Sequence, residues 1–80
     1  MLPKELVRLI EEQRVDQITI GRSAITASWS VCAHGTDLPR HLRQVIELNP
    51  EGGLRLWADI DAAYSFIRKS GYHRPIVIEG

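Results

Sequence analysis

Residues 53–80 read GLRLWADIDAAYSFIRKSGYHRPIVIEG, and the rest of the architecture is inferred outward from them. An apolar stripe at i, i+3, i+4 and i+7 runs through the middle of the stretch: Ile60, Ala63, Tyr64 and Ile67. Asp59 precedes the stripe, where an N-cap carboxylate accepts hydrogen bonds from the first helical turn. Gly71 follows it, where glycine ends a helix in the left-handed conformation. We therefore predict a helix between Asp59 and Gly71, with Tyr64 and Ile67 turned toward the core.

Strand-like segments lie on both sides of this helix. Residues 54–57 carry bulk on both faces, and residues 76–78 form a β-branched run opened by Pro75. Two strands joined by a helical crossover in one sheet run parallel, with a right-handed connection. The stretch therefore predicts a parallel βαβ unit at the C-terminal end of the chain.

The N-terminal half predicts a helix and a hairpin. A helix from Pro3 to about residue 15 follows from its apolar stripe: Leu2, Leu6, Leu9 and Ile10. A strand over 17–20, a turn at 21–23 and a strand over 25–33 come next. In the second strand the apolar residues Ile25, Ala27, Trp29 and Val31 alternate with Thr26, Ser28, Ser30 and Cys32. We expect the apolar face to lie on the helices and the Thr/Ser face to stay half-exposed.

A further helix is predicted from about Leu38 to Leu48, capped by Thr36 or Asp37. Its apolar stripe consists of Leu38, Leu42, Val45 and Ile46. Asn49, Pro50, Gly52 and Gly53 then turn the chain into the βαβ unit. The predicted order is α-β-β-α-β-α-β in a single domain, residues 1–80. The fold class is α+β: a mixed sheet of about four strands, with helices packed on one face.

Composition favours self-association and argues against broad nucleic-acid binding. The chain has 80 residues, ten basic and ten acidic, so its formal charge is zero, which argues against a generally basic nucleic-acid binder and an acidic DNA mimic. So short a chain buries only about 60% of its unfolded surface. We therefore expect a homo-oligomer, most simply a homodimer. The aromatic candidates for its interface are Trp29, Trp57 and Tyr72; the alternative for both tryptophans is a place in the core.

No apolar run reaches membrane-spanning length, and no signal peptide is recognisable. Cys32 is the single cysteine, so it has no disulfide partner within the chain. Together these features predict a cytoplasmic protein with no membrane partner.

A basic cluster breaks a local rule of helix electrostatics. Arg40, His41 and Arg43 lie early in the predicted second helix, where positive charge opposes the helix dipole, and His34 precedes them. Helix N-terminal N–H groups and arginines together bind phosphate or carboxylate. The cluster is therefore a candidate anion or nucleic-acid site. The alternative is a solvated helix face on which Glu47 balances Arg43.

Catalytic and metal sites are not expected. Ser30, Cys32 and His34 share one strand face, but side chains at i and i+2 diverge, and no G-x-S-x-G motif accompanies them. We therefore interpret Cys32 as a small buried residue. The combination of Cys32, His34, His41 and His73 matches no zinc signature. No cofactor is implied.

Residues 55–80 carry a strand, an aromatic, an aspartate, an Ala-Ala helix, a glycine and a final strand. The residues of this pattern are Leu56, Trp57, Asp61, Ala62, Ala63, Phe66, Gly71 and Ile78. The stretch, about a third of the chain, resembles the C-terminal part of small partition-associated accessory proteins of bacterial plasmids and integrated elements. The resemblance implies a non-enzymatic helper of a DNA-handling system. The first expected function is thus an interaction module, and the alternative is a nucleic-acid or phosphate-ligand binder.

Overall fold

The described part of the chain, residues 1–23, 27–49 and 51–79 of a computed structural model, contains two helices and five short strands. In chain order they are α1 (Pro3–Glu11), β1 (Gln17–Arg22), β2 (Trp29–His34), β3 (Glu47–Asn49), β4 (Gly52–Leu54), α2 (Ile60–Lys69) and β5 (Ile76–Glu79). The fold is α+β, as predicted. The predicted Pro50 turn residue and the terminal Gly80 lie outside the described residues.

β1 is the centre of a mixed sheet with strand order β2-β1-β5. It pairs antiparallel with β2, where Ile20 lies opposite Val31, and parallel with β5, where Ile18 lies opposite Ile76. The mixed sheet and the N-terminal hairpin are therefore confirmed.

The predicted turn at 21–23 is corrected in part, because Gly21 and Arg22 belong to β1. β1 continues to Arg22, and the Ser23 N–H donates to the Ser28 carbonyl at 2.7 Å to close the connection. Ala27 has a φ of 56°, outside the range of an extended strand, and the second strand begins at Trp29. Its predicted first residues, Ile25 and Thr26, lie outside the described residues.

The predicted helix over 38–48 is wrong. The Leu42 N–H donates to the Pro39 carbonyl in a single turn, and the chain is then extended. Val45 forms an antiparallel bridge with Cys32, and the buried Ile46 donates its N–H to the Val31 carbonyl at 2.9 Å. Val45 and Ile46 are both β-branched, and here they pair with the backbone of β2 at its free edge. This tertiary pairing outweighs the helical spacing of the apolar residues in 38–48.

A broken fourth strand runs along the outer edge of β2. After Ile46 the chain leaves as the separate β3–β4 hairpin and returns at Trp57, which exchanges two backbone hydrogen bonds with Trp29 at 2.8 and 2.9 Å. The Arg55 N–H donates to the Ile46 carbonyl across the base of the hairpin. The β3–β4 hairpin therefore separates two segments that both pair with the outer edge of β2.

The two outer segments of the predicted βαβ unit run parallel to each other, as predicted. The Trp57 bridge is antiparallel to β2, so this segment runs in the same direction as β1 and β5. β2 and β1 lie between the 54–57 segment and β5, so the two parallel segments are not neighbours in the sheet; the sequence had left the strand order open. The adjacent position is taken by β1, the central strand, whose Ile18 and Ile20 are fully buried.

Both helices pack on one face of the sheet, as predicted. The core contains the following residues from the helices and that face: Leu6, Leu9, Ile18, Ile20, Val31, Ala33, Ile46, Ala63 and Ile67. The predicted caps of α2 are confirmed, because the Asp59 carboxylate accepts from the Ala62 N–H at 2.8 Å and Gly71 has a φ of 101°.

The prediction that Tyr64 of α2 faces the core is wrong. Ile67 is fully buried, but Tyr64 is 43% exposed, with the Arg68 guanidinium over its ring and donating to its hydroxyl at 2.9 Å. The buried arc is centred on Ala63 and Ile67, so Tyr64 lies at its margin, where its hydroxyl finds a polar partner.

Candidate interaction surface

β5 is an open edge of the sheet. Among the described residues it pairs with β1 on one side and with no strand on the other. Val77 is 40% exposed and Ile78 54% exposed. An edge strand offers unpaired N–H and C=O groups to another chain, and natural proteins usually blunt such edges with charges or bulges. Here Glu79 is the one charged residue of the strand.

The face of the sheet opposite the helices carries one continuous row of small and β-branched side chains. Val45, Cys32, Thr19 and Val77 lie side by side on four successive strand segments. Thr19 is buried, Val45 and Cys32 are half-buried, and Val77 is exposed at the end of the row. The half-exposed polar face predicted for β2 is therefore present, and it ends at the open edge.

The β3–β4 hairpin forms a second apolar surface. Leu48 and Leu54 are exposed on it, and Leu56 is exposed just beyond it. Gly52 and Gly53, the first two residues of β4, have φ values of 108° and 93°, which glycine adopts without strain.

The chain start holds the base of this hairpin. The Met1 ammonium donates to the Arg43 and Val45 carbonyls, both at 2.7 Å, and to Oε1 of Glu47 at 2.9 Å. The Glu47 N–H donates in return to the Met1 carbonyl at 2.8 Å. The hydrogen bond from the ammonium is the main reason that the pKa of Glu47 lies below its usual value; the charges of the ammonium and of Arg43 act in the same direction.

The aromatic interface candidates are mostly core residues. Trp57 is 8% exposed and lies 4.9 Å from the ring of Phe66, and Tyr72 is 3% exposed. Trp29 is half-buried beneath the Arg22 guanidinium. Trp57 and Tyr72 therefore have little surface to offer a partner. The exposed apolar surface is largely aliphatic, which the aromatic-centred prediction missed; the β-branched run at 76–78 was the signal in the sequence.

The basic candidates lie in irregular chain rather than at a helix N-terminus. Arg40, His41 and Arg43 are exposed, and His34 is half-buried at the end of β2. The free helical N–H groups assumed for anion binding are therefore missing from this segment. Within the described residues, the side chains of Arg40 and His41 form no hydrogen bond or ion pair.

Cys32 does not have the surroundings of a nucleophile. Burial raises the pKa of its thiol, the nearby Glu79 carboxylate raises it further, and the N-terminal ammonium opposes both effects. Ser30, on the same face, donates to the Gly21 carbonyl. A raised pKa keeps the thiol protonated at neutral pH, whereas a reactive cysteine needs the thiolate. No group of three or more potential metal ligands occurs in the described ranges.

A cavity of about 440 Å³ opens between the end of α1 and the loop before β5. Its lining includes the apolar residues Ile10, Val15 and Tyr72 and the basic residues His73 and Arg74. Nη1 of Arg68 donates to the Tyr72 and Arg74 carbonyls at 2.9 and 2.8 Å, which holds the loop in place. Arg74 is consequently presented at the start of β5 on a fixed backbone.

Comparisons with protein-family models, curated proteins and solved structures found no match to this chain. No helix in the described ranges is both long and apolar enough to cross a bilayer.

Proposed function

We propose that the chain is a non-enzymatic protein-interaction module that acts as a homodimer. The observation that carries the proposal is the outer edge of β5, which pairs with no strand among the described residues and exposes Val77 and Ile78. Contiguous exposed apolar surface marks interaction sites in soluble domains. A chain of 80 residues with zero formal charge has little internal core and little electrostatic repulsion between copies, so association adds burial at small cost.

The raised pKa of Cys32 supports a non-enzymatic role, since it argues against the Cys/His chemistry that the sequence left open. The proposed setting is cytoplasmic, as an accessory to a bacterial plasmid or mobile-element DNA-handling system. This setting rests on the resemblance of residues 55–80 to partition-associated accessory proteins. It is tested by recovering the tagged chain's partners from its source cell, where components of such a system are expected and their absence would contradict the setting.

Sedimentation or light scattering at tens of micromolar tests the association itself. We expect a species of twice the 9.1 kDa mass of one chain. A strict monomer across this range would contradict the proposal.

Nucleic-acid or phosphate-ligand binding through His34, Arg40, His41 and Arg43 is the second candidate. The side chains of Arg40 and His41 favour it, since both are exposed and have no partner among the described residues. It predicts salt-sensitive binding, with a salt slope reduced by about 2 when Arg40 and Arg43 both become Ala. Arg8→Ala, on the exposed side of α1, is the matched control. No binding of duplex or single-stranded DNA or RNA at low salt would remove this candidate.

A further inference from the structure

We infer that a second copy of this chain docks antiparallel on the outer edge of β5, with Val77 paired to Val77 across a two-fold axis. The inference rests on the proposed homodimer and names the surface and the register. The two sheets would then continue as one. A two-fold contact is isologous, so the same strand must complement itself.

The apolar residues of β5 are self-complementary in this register. Residues opposite each other in an antiparallel pair lie on the same face, so Ile76 meets Ile78 of the second copy on the helix face. Ile78, 54% exposed in one copy, is thereby covered. On the other face, Val77 meets its own copy, and the row Val45, Cys32, Thr19, Val77 continues into the same row reversed.

The charges at the strand ends are also self-complementary. Arg74 precedes the apolar run and Glu79 follows it. Antiparallel pairing centred on Val77 places Glu79 of one copy opposite Pro75 of the other. Arg74 of that copy precedes Pro75 in a bend outside β5, so strand alternation does not hold its exposed side chain to the opposite face, and its guanidinium can reach the Glu79 carboxylate. Neither side chain has an ion-pair partner among the described residues, so both are available.

The neighbouring register centred on Ile76 is less complementary. It would place Ile78 opposite Arg74 and Val77 opposite Pro75, so neither exposed apolar side chain would meet an equivalent one. Because β5 has four residues, the contact is short compared with the roughly 1,200–2,000 Å² of stable interfaces, and we expect dissociation in the micromolar range.

Charge exchange tests the pairing. Arg74→Glu and Glu79→Lys each turn two opposite-charge contacts into two like-charge contacts, so each variant alone should raise the dissociation constant roughly tenfold. In a one-to-one mixture of the two variants, the glutamate introduced at position 74 of one chain faces the lysine introduced at position 79 of the other.

The native Glu79 of the Arg74→Glu chain likewise faces the native Arg74 of the Glu79→Lys chain. Both opposite-charge contacts are then restored, and the mixture should dimerise as wild type does at low salt. Failure of the mixture to recover, with both variants folded by circular dichroism, would overturn the inferred contact.

Crosslinking tests the register. In a Cys32→Ala background, Val77→Cys should crosslink to itself with a short bismaleimide, since paired Cα atoms lie about 4.5–5.5 Å apart. Ile76→Cys reports the neighbouring register, and Leu48→Cys on the hairpin is the exposed control. Crosslinking at 76 or 48 instead of 77 would overturn the inference while leaving the homodimer standing. A wild-type monomer at these concentrations would remove both proposals.

Discussion

Glu47 is the residue whose charge ties the start of the chain to the hairpin. Its folded pKa is lowered, chiefly by the hydrogen bond from the Met1 ammonium. A carboxylate with a lowered folded pKa adds stability above its unfolded pKa, and this stability is lost as pH falls through the folded value. We therefore expect the urea midpoint of the wild type to fall as pH decreases below about 4.5, the ordinary value for this group.

The variant Glu47→Gln should have a lower midpoint than the wild type at pH 7 and a weaker fall with acid. Glu51→Gln, an exposed change on the same hairpin, is the control and should keep the wild-type pH profile. Identical acid profiles for Glu47→Gln and the wild type would show that the ion pair contributes nothing to folding.

Cys32 is a second residue with a perturbed titration. Because burial and Glu79 raise the pKa of its thiol, iodoacetamide should alkylate it more slowly at pH 7.5 than it alkylates N-acetylcysteine, an unburied thiol. Removing the charge in Glu79→Gln should increase the rate, and an unrelated Glu11→Gln change should not. An alkylation rate above that of the unburied thiol would return Cys32 to the list of candidate nucleophiles.

At the scale of elements, the loop after β2 lies directly on the chain leaving α1. The Asp16 N–H donates to the His34 carbonyl at 2.8 Å, and Nη2 of Arg14 donates to the Asp37 carbonyl. A Cβ on Gly35 would collide with the Arg14 carbonyl oxygen, which is backbone and cannot move aside cheaply. Glycine at 35 is therefore required by this close approach.

Gly35→Ala should destabilise the fold by on the order of 2–3 kcal/mol, measured as a shift of the urea midpoint at unchanged slope. Gly21→Ala is the matched control, because its added Cβ would lie at an ordinary 3.7 Å from Oγ of Ser30. We expect the control to stay within about 0.5 kcal/mol of wild type. Equal effects at the two positions would refute the close-approach argument.

For the whole molecule, association and folding are coupled. Ligands that bind the folded state raise the melting temperature by mass action, and a second copy acts in the same way. We therefore expect the melting temperature of the wild type to rise with protein concentration, whereas that of Val77→Arg stays constant. Leu48→Arg, on the exposed hairpin, should keep the wild-type dependence. A concentration-independent wild type would contradict the homodimer.

The two predicted helices that end in different outcomes, α2 and residues 38–48, show which features can be predicted from local sequence. The caps of α2 were predictable because Asp59 and Gly71 act within one helical turn. The absence of a helix over 38–48 was not predictable, because Val45 and Ile46 fit a helical stripe and a strand equally well. Their pairing with the edge of β2 decides between the two. The candidate surface was predicted only in part, since whether Trp57 or Ile78 is exposed depends on strand order.

By itself, the sequence determined the α+β class, the N-terminal hairpin, the capped helix α2 and the alternating faces of β2, because each follows from contacts between residues close in the chain. The tertiary structure alone decided that β5 pairs with β1, that the hairpin at 47–54 interrupts an edge, and that Val77 and Ile78 remain exposed. The physical reason is that distant segments compete for the same backbone hydrogen-bonding groups and the same buried face of the sheet. The periodicity of the local sequence does not determine which segment becomes a strand's partner.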